Sequence, residues 1–219
     1  MLKAVFVDWF GTLSISRFFE HWSAPDHPRR REFDRLQAWW FDAASQPFLD
    51  EWLTGARTCE DFVGAMSALF GLPPAEVEAE LMEGFRHWTL LEPETKPLLA
   101  ALRQKGVRVV LATENVDACI RWAVPALDLG DGFDAILSSH ELRALKHESD
   151  ESGRSLFFGD YLRAQGIGPG ETALIDDSAH LQAAIEAFGV RFLHAPKGVG
   201  PGAHLRRLLC DLAPMESSR

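Results

Sequence analysis

Val5-Phe6-Val7-Asp8-Trp9-Phe10-Gly11-Thr12-Leu13 is the stretch on which the fold turns. A run of β-branched and aromatic residues ends in Asp8, and a glycine and a threonine follow within four positions. This pattern predicts a buried strand whose carboxyl end delivers Asp8 into a tight loop. Ligands of open α/β sheets bind at that kind of edge, and the N–H groups of such a loop can hold an anion. Taken alone, an aspartate after a strand is more often turn chemistry. The rest of the chain decides between the two.

Downstream of residue 91 the chain alternates between helix and strand patterns. Strands are expected over 107–112, 133–137, 172–175 and 190–193. Helices are expected over 98–105, stopped by Gly106, and over 115–127, with Pro125 near the exit. Further helices are expected over 155–165, ended by Gly166, over the stripe Leu181, Ala184, Ile185 and Phe188, closed by Gly189, and over 201–212. Residues 216–219 are expected to fray. This alternation predicts a doubly wound, mostly parallel α/β sheet with right-handed crossovers.

Residues 14–90 differ in character. They hold five of the seven tryptophans, Trp22, Trp39, Trp40, Trp52 and Trp88, and no strand pattern. Phe33, Leu36 and Trp40 fall on one helical face. Phe62, Val63, Met66, Leu69 and Phe70 form a second stripe, and Val77, Leu81, Phe85 and Trp88 a third. Thr58 with Asp61 resembles a helix N-terminal box. A small helical domain over 14–90 is therefore expected, inserted into an α/β core made of 1–13 and 91–219, with 91–97 as the return linker. Its aromatics are expected to be mostly core, with a few lent to a pocket.

Composition narrows the function. The net charge is −10, so the basic footprint of a nucleic-acid binder is missing, and Arg29-Arg30-Arg31 reads as a solvated helix start. No apolar run approaches the roughly 18 residues of a membrane span. The chain leads from Met1 directly into the first strand, so no signal peptide is expected. Cys59, Cys119 and Cys210 are scattered and form no CxxC pair, which argues against zinc and disulfides and for a cytoplasmic location. The expected partner is a small-molecule substrate, with neither nucleic acid nor membrane.

Polar groups stand at four strand ends or adjacent loops: Asp8, Thr113, Lys146 and the pair Asp176-Asp177. With these residues the chain resembles the haloacid dehalogenase-like hydrolase superfamily. Asp8-Trp9-Phe10-Gly11-Thr12 is similar to its D-x-D-x-T motif. Thr113 in Leu111-Ala112-Thr113-Glu114-Asn115 matches the second motif, Lys146 best matches the third, and Asp176-Asp177-Ser178 matches the fourth. The resemblance covers the whole chain, including a helical cap inserted after the first strand.

The resemblance implies that Asp8 is a carboxylate nucleophile, assisted by Thr113 and Lys146. It implies Mg²⁺ as cofactor, held by Asp8, the backbone carbonyl of Phe10, and Asp176 or Asp177, an all-oxygen set that suits this ion. Substrate contacts are implied for Phe10, Gly11 and Thr12 and for Glu114 and Asn115. The cap is expected to open and close over Asp8. Arg154 is an alternative occupant of the lysine position, because a longer insert, 148–154, follows His147. His180 reads as a surface histidine or a proton carrier.

The departure is Phe10, which stands where phosphatases of this superfamily carry a second aspartate as general acid and base. Three readings follow. One is a Mg²⁺-dependent phosphohydrolase with altered acid catalysis, favoured by the acidic pair. Another is a carbon–halogen hydrolase like the 2-haloacid dehalogenases, which have an aromatic residue at this position and release halide without protonating it. The third is a non-catalytic binding scaffold.

Overall fold

The structure is a computed structural model that describes residues 1–212; the expected fraying of 216–219 lies outside the described residues. Five strands form one sheet: β1 (Ala4–Val7), β2 (Arg108–Thr113), β3 (Ala135–Ser138), β4 (Thr172–Asp176) and β5 (Arg191–His194). Their order is β3-β2-β1-β4-β5, and every pairing is parallel. The sheet is thus fully parallel, as the alternation of helix and strand requires. The chain builds outward from β1 through β2 to β3, then crosses to the other side for β4 and β5. The strand order reverses at β1, so a crevice opens between the carboxyl ends of its neighbours, where ligands of such sheets bind.

Alternation along β1 explains why the strand is buried on both faces. Val5 and Val7 join one apolar cluster with Val109, Leu111 and Ile175, while Phe6 joins another with Val110, Leu137 and Leu174. Side chains two apart share a face, so the register Val5↔Val109 and Val7↔Leu111 stacks like on like.

The segment between β1 and the next core helix is helical: α1 (Arg30–Trp40), α2 (Gln46–Leu53), α3 (Cys59–Phe70) and α4 (Pro74–Arg86). The Asp61 carboxylate accepts the Thr58 N–H at 2.9 Å, which gives α3 its expected N-terminal box. Gly71 closes the helix at φ 74°. The aromatics pack on one another, with Phe62 stacked on Trp52 at 4.3 Å between ring centroids. Chain exit and return lie side by side, since the Leu91 N–H donates to the Leu13 carbonyl at 2.9 Å. The insert is also tied to the core. Asp117 accepts from Trp52 Nε1 at 2.8 Å and from the Cys59 N–H at 2.9 Å, and Ser139 Oγ donates to the Leu53 carbonyl at 2.7 Å.

The remaining helices are α5 (Thr95–Gln104), α6 (Val124–Ala126), α7 (Ser139–Leu142), α8 (Gly159–Gln165), α9 (Gln182–Ala187) and α10 (Gly202–Asp211). Two differ from the expected spans. The helix expected over 115–127 is mostly a wide π turn, Cys119–Ala123, leading into α6. Pro125 has no N–H for the Arg121 carbonyl, so the turn ahead of it opens. The helix expected from 155 begins at Gly159, because the Ser155 hydroxyl accepts the Phe158 N–H and holds that stretch in a turn. No helix among the described residues is long and apolar enough to cross a membrane.

Candidate active site

Asp8 leaves the end of β1 with its N–H donated to the Ile175 carbonyl at 2.9 Å, which carries the pairing of β1 with β4 one residue beyond the strand. Its side chain is buried. Lys146 reaches it from the loop after α7. The ammonium lies 2.6 Å from Asp8 Oδ1 and 2.6 Å from Asp176 Oδ2, at 1% exposure. A buried lysine is rare unless paired, and this one bridges the ends of two adjacent strands. Its backbone N–H donates to Glu114 Oε1 at 2.6 Å, so Glu114 positions the lysine loop. Arg154, the alternative cation, lies at the surface and pairs with Asp150 and Asp160.

Asp8, Asp176 and Asp177 form a cluster whose ligand oxygens lie within 4.8 Å of one another. Three carboxylates face one ammonium. Burial, reinforced by Asp176, pushes the Asp8 carboxyl up to about 7 against the pull of Lys146. Burial and Asp176 also raise Asp177, while Lys197 works in the opposite direction. For Lys146 burial disfavours the charge, yet Asp8 and Asp176 outweigh it and lift the ammonium above its usual range. An all-oxygen cluster with surplus negative charge suits a hard divalent cation.

The loop 9–13 curls tightly. Gly11 has φ +97°, and its N–H donates to the Ser14 carbonyl at 2.8 Å. A Cβ on Gly11 would collide with the Asp177 carboxylate, so the loop backbone lies directly against the acidic cluster. The Phe10–Gly11 peptide is therefore beside the place where a cation would sit. Thr12 is fully buried, and its hydroxyl has no partner among the described residues. Thr113 ends β2 opposite Ser138 and is buried. His180 is exposed.

A cavity of about 590 Å³ opens against Phe10, two residues beyond Asp8, and against Glu114, which holds the Lys146 N–H. The insert contributes Arg17, Phe18, Trp40 and Phe41 to its walls, and the core contributes Phe10, Glu114, Asn115 and Lys197. The side-chain Oδ1 of Asn115 meanwhile accepts the Val116 N–H at 2.9 Å. Lys197 Nζ stands 4.5 Å from the centroid of the Phe10 ring. Lys197 escaped the sequence reading. It follows the fifth strand, at the same sheet edge as the four groups that were found, in a Pro-Lys-Gly turn with no acidic neighbour to draw notice.

A family model of haloacid dehalogenase-like hydrolases matches residues 5–180. No curated protein matches the chain. Among solved structures, a HAD family enzyme from Bacteroides thetaiotaomicron in complex with magnesium and inorganic phosphate is 18% identical. It covers 90% of this chain and 96% of its own, at a TM-score of 0.65. The L-2-haloacid dehalogenase from Xanthobacter autotrophicus with chloropropionic acid covalently bound is 17% identical, covering 89% and 78%, at 0.62. At these identities the likeness is one of fold. The family match spans most of the sequence, and the chain belongs to the haloacid dehalogenase-like hydrolases.

Proposed function

We propose that the protein is a Mg²⁺-dependent phosphohydrolase acting on a small phosphorylated molecule, with Asp8 as nucleophile. The observation that carries this reading is the cluster of Asp8, Asp176 and Asp177 within 4.8 Å of one another, only partly neutralised by Lys146. Asp8, Asp177 and the Phe10 carbonyl would hold the ion, with Asp176 shared between it and Lys146. Bound there, Mg²⁺ would offset the repulsion between Asp8 and a phosphate dianion.

Asp8 attacks phosphorus and becomes an acyl phosphate, which water then hydrolyses. Lys146 holds one Asp8 oxygen and so orients the other toward the substrate. The loop N–H group of Thr12, with Thr113, binds the oxygens of the transferring group. Residues 14–90 act as the cap that walls off the cavity. Phe10 cannot move a proton, so the leaving group departs unassisted from that position. The three unpaired cysteines suit a reducing cytoplasm.

A dehalogenase reading draws on the same Phe10, since halide leaves without a proton. The test is release of phosphate or halide from a panel of phosphate esters, acyl phosphates and 2-haloacids, with and without Mg²⁺, for wild type and Asp8→Asn. Metal-dependent phosphate release that vanishes in Asp8→Asn supports the proposal. Metal-independent halide release would replace it with the dehalogenase reading.

A further inference from the structure

The cavity against Phe10 is unusual in what it exposes. Three large apolar side chains that face solvent gather on it: Phe10 at 38%, Ile15 at 46% and Phe41 at 78%. Phe18, Trp40 and Trp88 complete its ring-rich wall. Apolar groups left exposed around one concavity mark a binding surface rather than unfinished core. The two cations on the wall differ in availability. Arg17 is engaged, with Gln37 Oε1 at 3.3 Å and Glu20 at 3.7 Å. Lys197 makes no ion pair within 4.0 Å among the described residues, and its ammonium stands over the Phe10 ring, close enough to the acidic cluster for its charge to act on Asp177.

We infer that the substrate is an aryl phosphate monoester, its ring held between the aromatic walls of this cavity and its leaving oxygen facing Lys197. The inference rests on the phosphohydrolase reading of Asp8. Loss of a positioned acid forgoes a factor of about 10²–10⁴ in rate. Among monoesters that loss weighs less on an aryl than on an alkyl ester, because a phenol ionises near about 10, as tyrosine does, and an alcohol only well above that. In the first step an Asp8 oxygen bonds to phosphorus while the aryl O–P bond breaks. The electron pair leaves with the aryl oxygen as a phenolate, opposite the Lys197 ammonium, and no proton moves. Water then attacks phosphorus, the bond to Asp8 breaks, phosphate is released, and the water proton passes to solvent.

The test pairs binding with a leaving-group series, both with Mg²⁺ present. Calorimetry compares the non-hydrolysable benzylphosphonate and methylphosphonate on wild type, Phe41→Ala and Lys197→Gln. Phe41 is exposed enough to be removed without unfolding the insert. Benzylphosphonate is expected to bind wild type more tightly, and Phe41→Ala to lose about 3–10-fold of that affinity with methylphosphonate unaffected, the range for one aromatic contact. Across substituted phenyl phosphates, Lys197→Gln is expected to steepen the dependence of kcat/KM on the pKa of the leaving phenol. Equal binding of the two phosphonates, with alkyl esters turned over as well as aryl ones, would overturn the inference and leave the phosphohydrolase reading standing. Hydrolysis of acyl phosphates alone would likewise overturn only the inference, whereas if neither monoesters nor acyl phosphates are hydrolysed, that reading fails and the inference falls with it.

Discussion

Gly11 is packed so tightly against Asp177 that a single added methyl group would occupy the space of its carboxylate. The contact joins the loop after β1 to the loop after β4 and fixes the outer wall of the acidic cluster. Gly11→Ala meets both this collision and the strain of φ +97°, which L side chains rarely adopt. The variant is expected to lose about 1–3 kcal/mol of stability. Its Mg²⁺ affinity is expected to fall as Asp177 is pushed aside. Urea unfolding and a calorimetric Mg²⁺ titration check the two effects, and a variant unchanged in both would mean that the loop and the cluster are independent.

Lys146 is expected to be structural as well as functional. Lys146→Met removes the ammonium that bridges Asp8 and Asp176 and leaves two buried carboxylates facing each other. Breaking such a pair costs about 3–5 kcal/mol. The stranded carboxyl rises further above its unfolded pKa, so its penalty is absent at low pH and grows as pH rises. The deficit measured by urea unfolding should therefore be larger at pH 8 than at pH 5. A deficit below about 1 kcal/mol, the value of an exposed pair, would contradict the buried bridge.

Binding of Mg²⁺ is expected to weaken in acid. The Asp8 carboxyl is held at about 7 by burial, and a cation binds its ionised form. Protons and Mg²⁺ then compete below pH 7, with affinity approaching a decline of about tenfold per pH unit. Calorimetric titrations between pH 6 and 8 read this directly. Affinity flat across the range would mean that Asp8 is already ionised without the metal.

Asp117 ties the helical insert to the core through Trp52 Nε1 and the Cys59 N–H. In Asp117→Ala both donors lose their acceptor, with an expected loss of about 2 kcal/mol or more. Asp117→Asn keeps one acceptor oxygen and should lose less. Two variants as stable as wild type would show that the insert does not depend on this tie.

The fold was legible because its signals are local. Val5 to Val7 alternate between two apolar faces, and Gly106, Gly166 and Gly189 sit where helices stop, each in the left-handed region. Pro125 marked the right place, but its effect on the turn before it depends on a missing N–H bond that periodicity does not register. The candidate site was legible at strand ends, where an acid or hydroxyl after an apolar run is conspicuous. Lys146 had no such frame: its burial comes from a loop path set by Glu114, thirty-two residues earlier. Lys197 and the exposed ring of Phe41 became visible only when the insert and the fifth strand end were brought to one cavity.

The most direct test of Asp8 as nucleophile is the mass of the peptide that carries it, taken after rapid acid quench of the enzyme during turnover of an aryl phosphate with Mg²⁺. A phosphoryl group is expected on the peptide containing Asp8, and none on the same peptide of Asp8→Asn. Phosphate release with that peptide unmodified throughout turnover would contradict it.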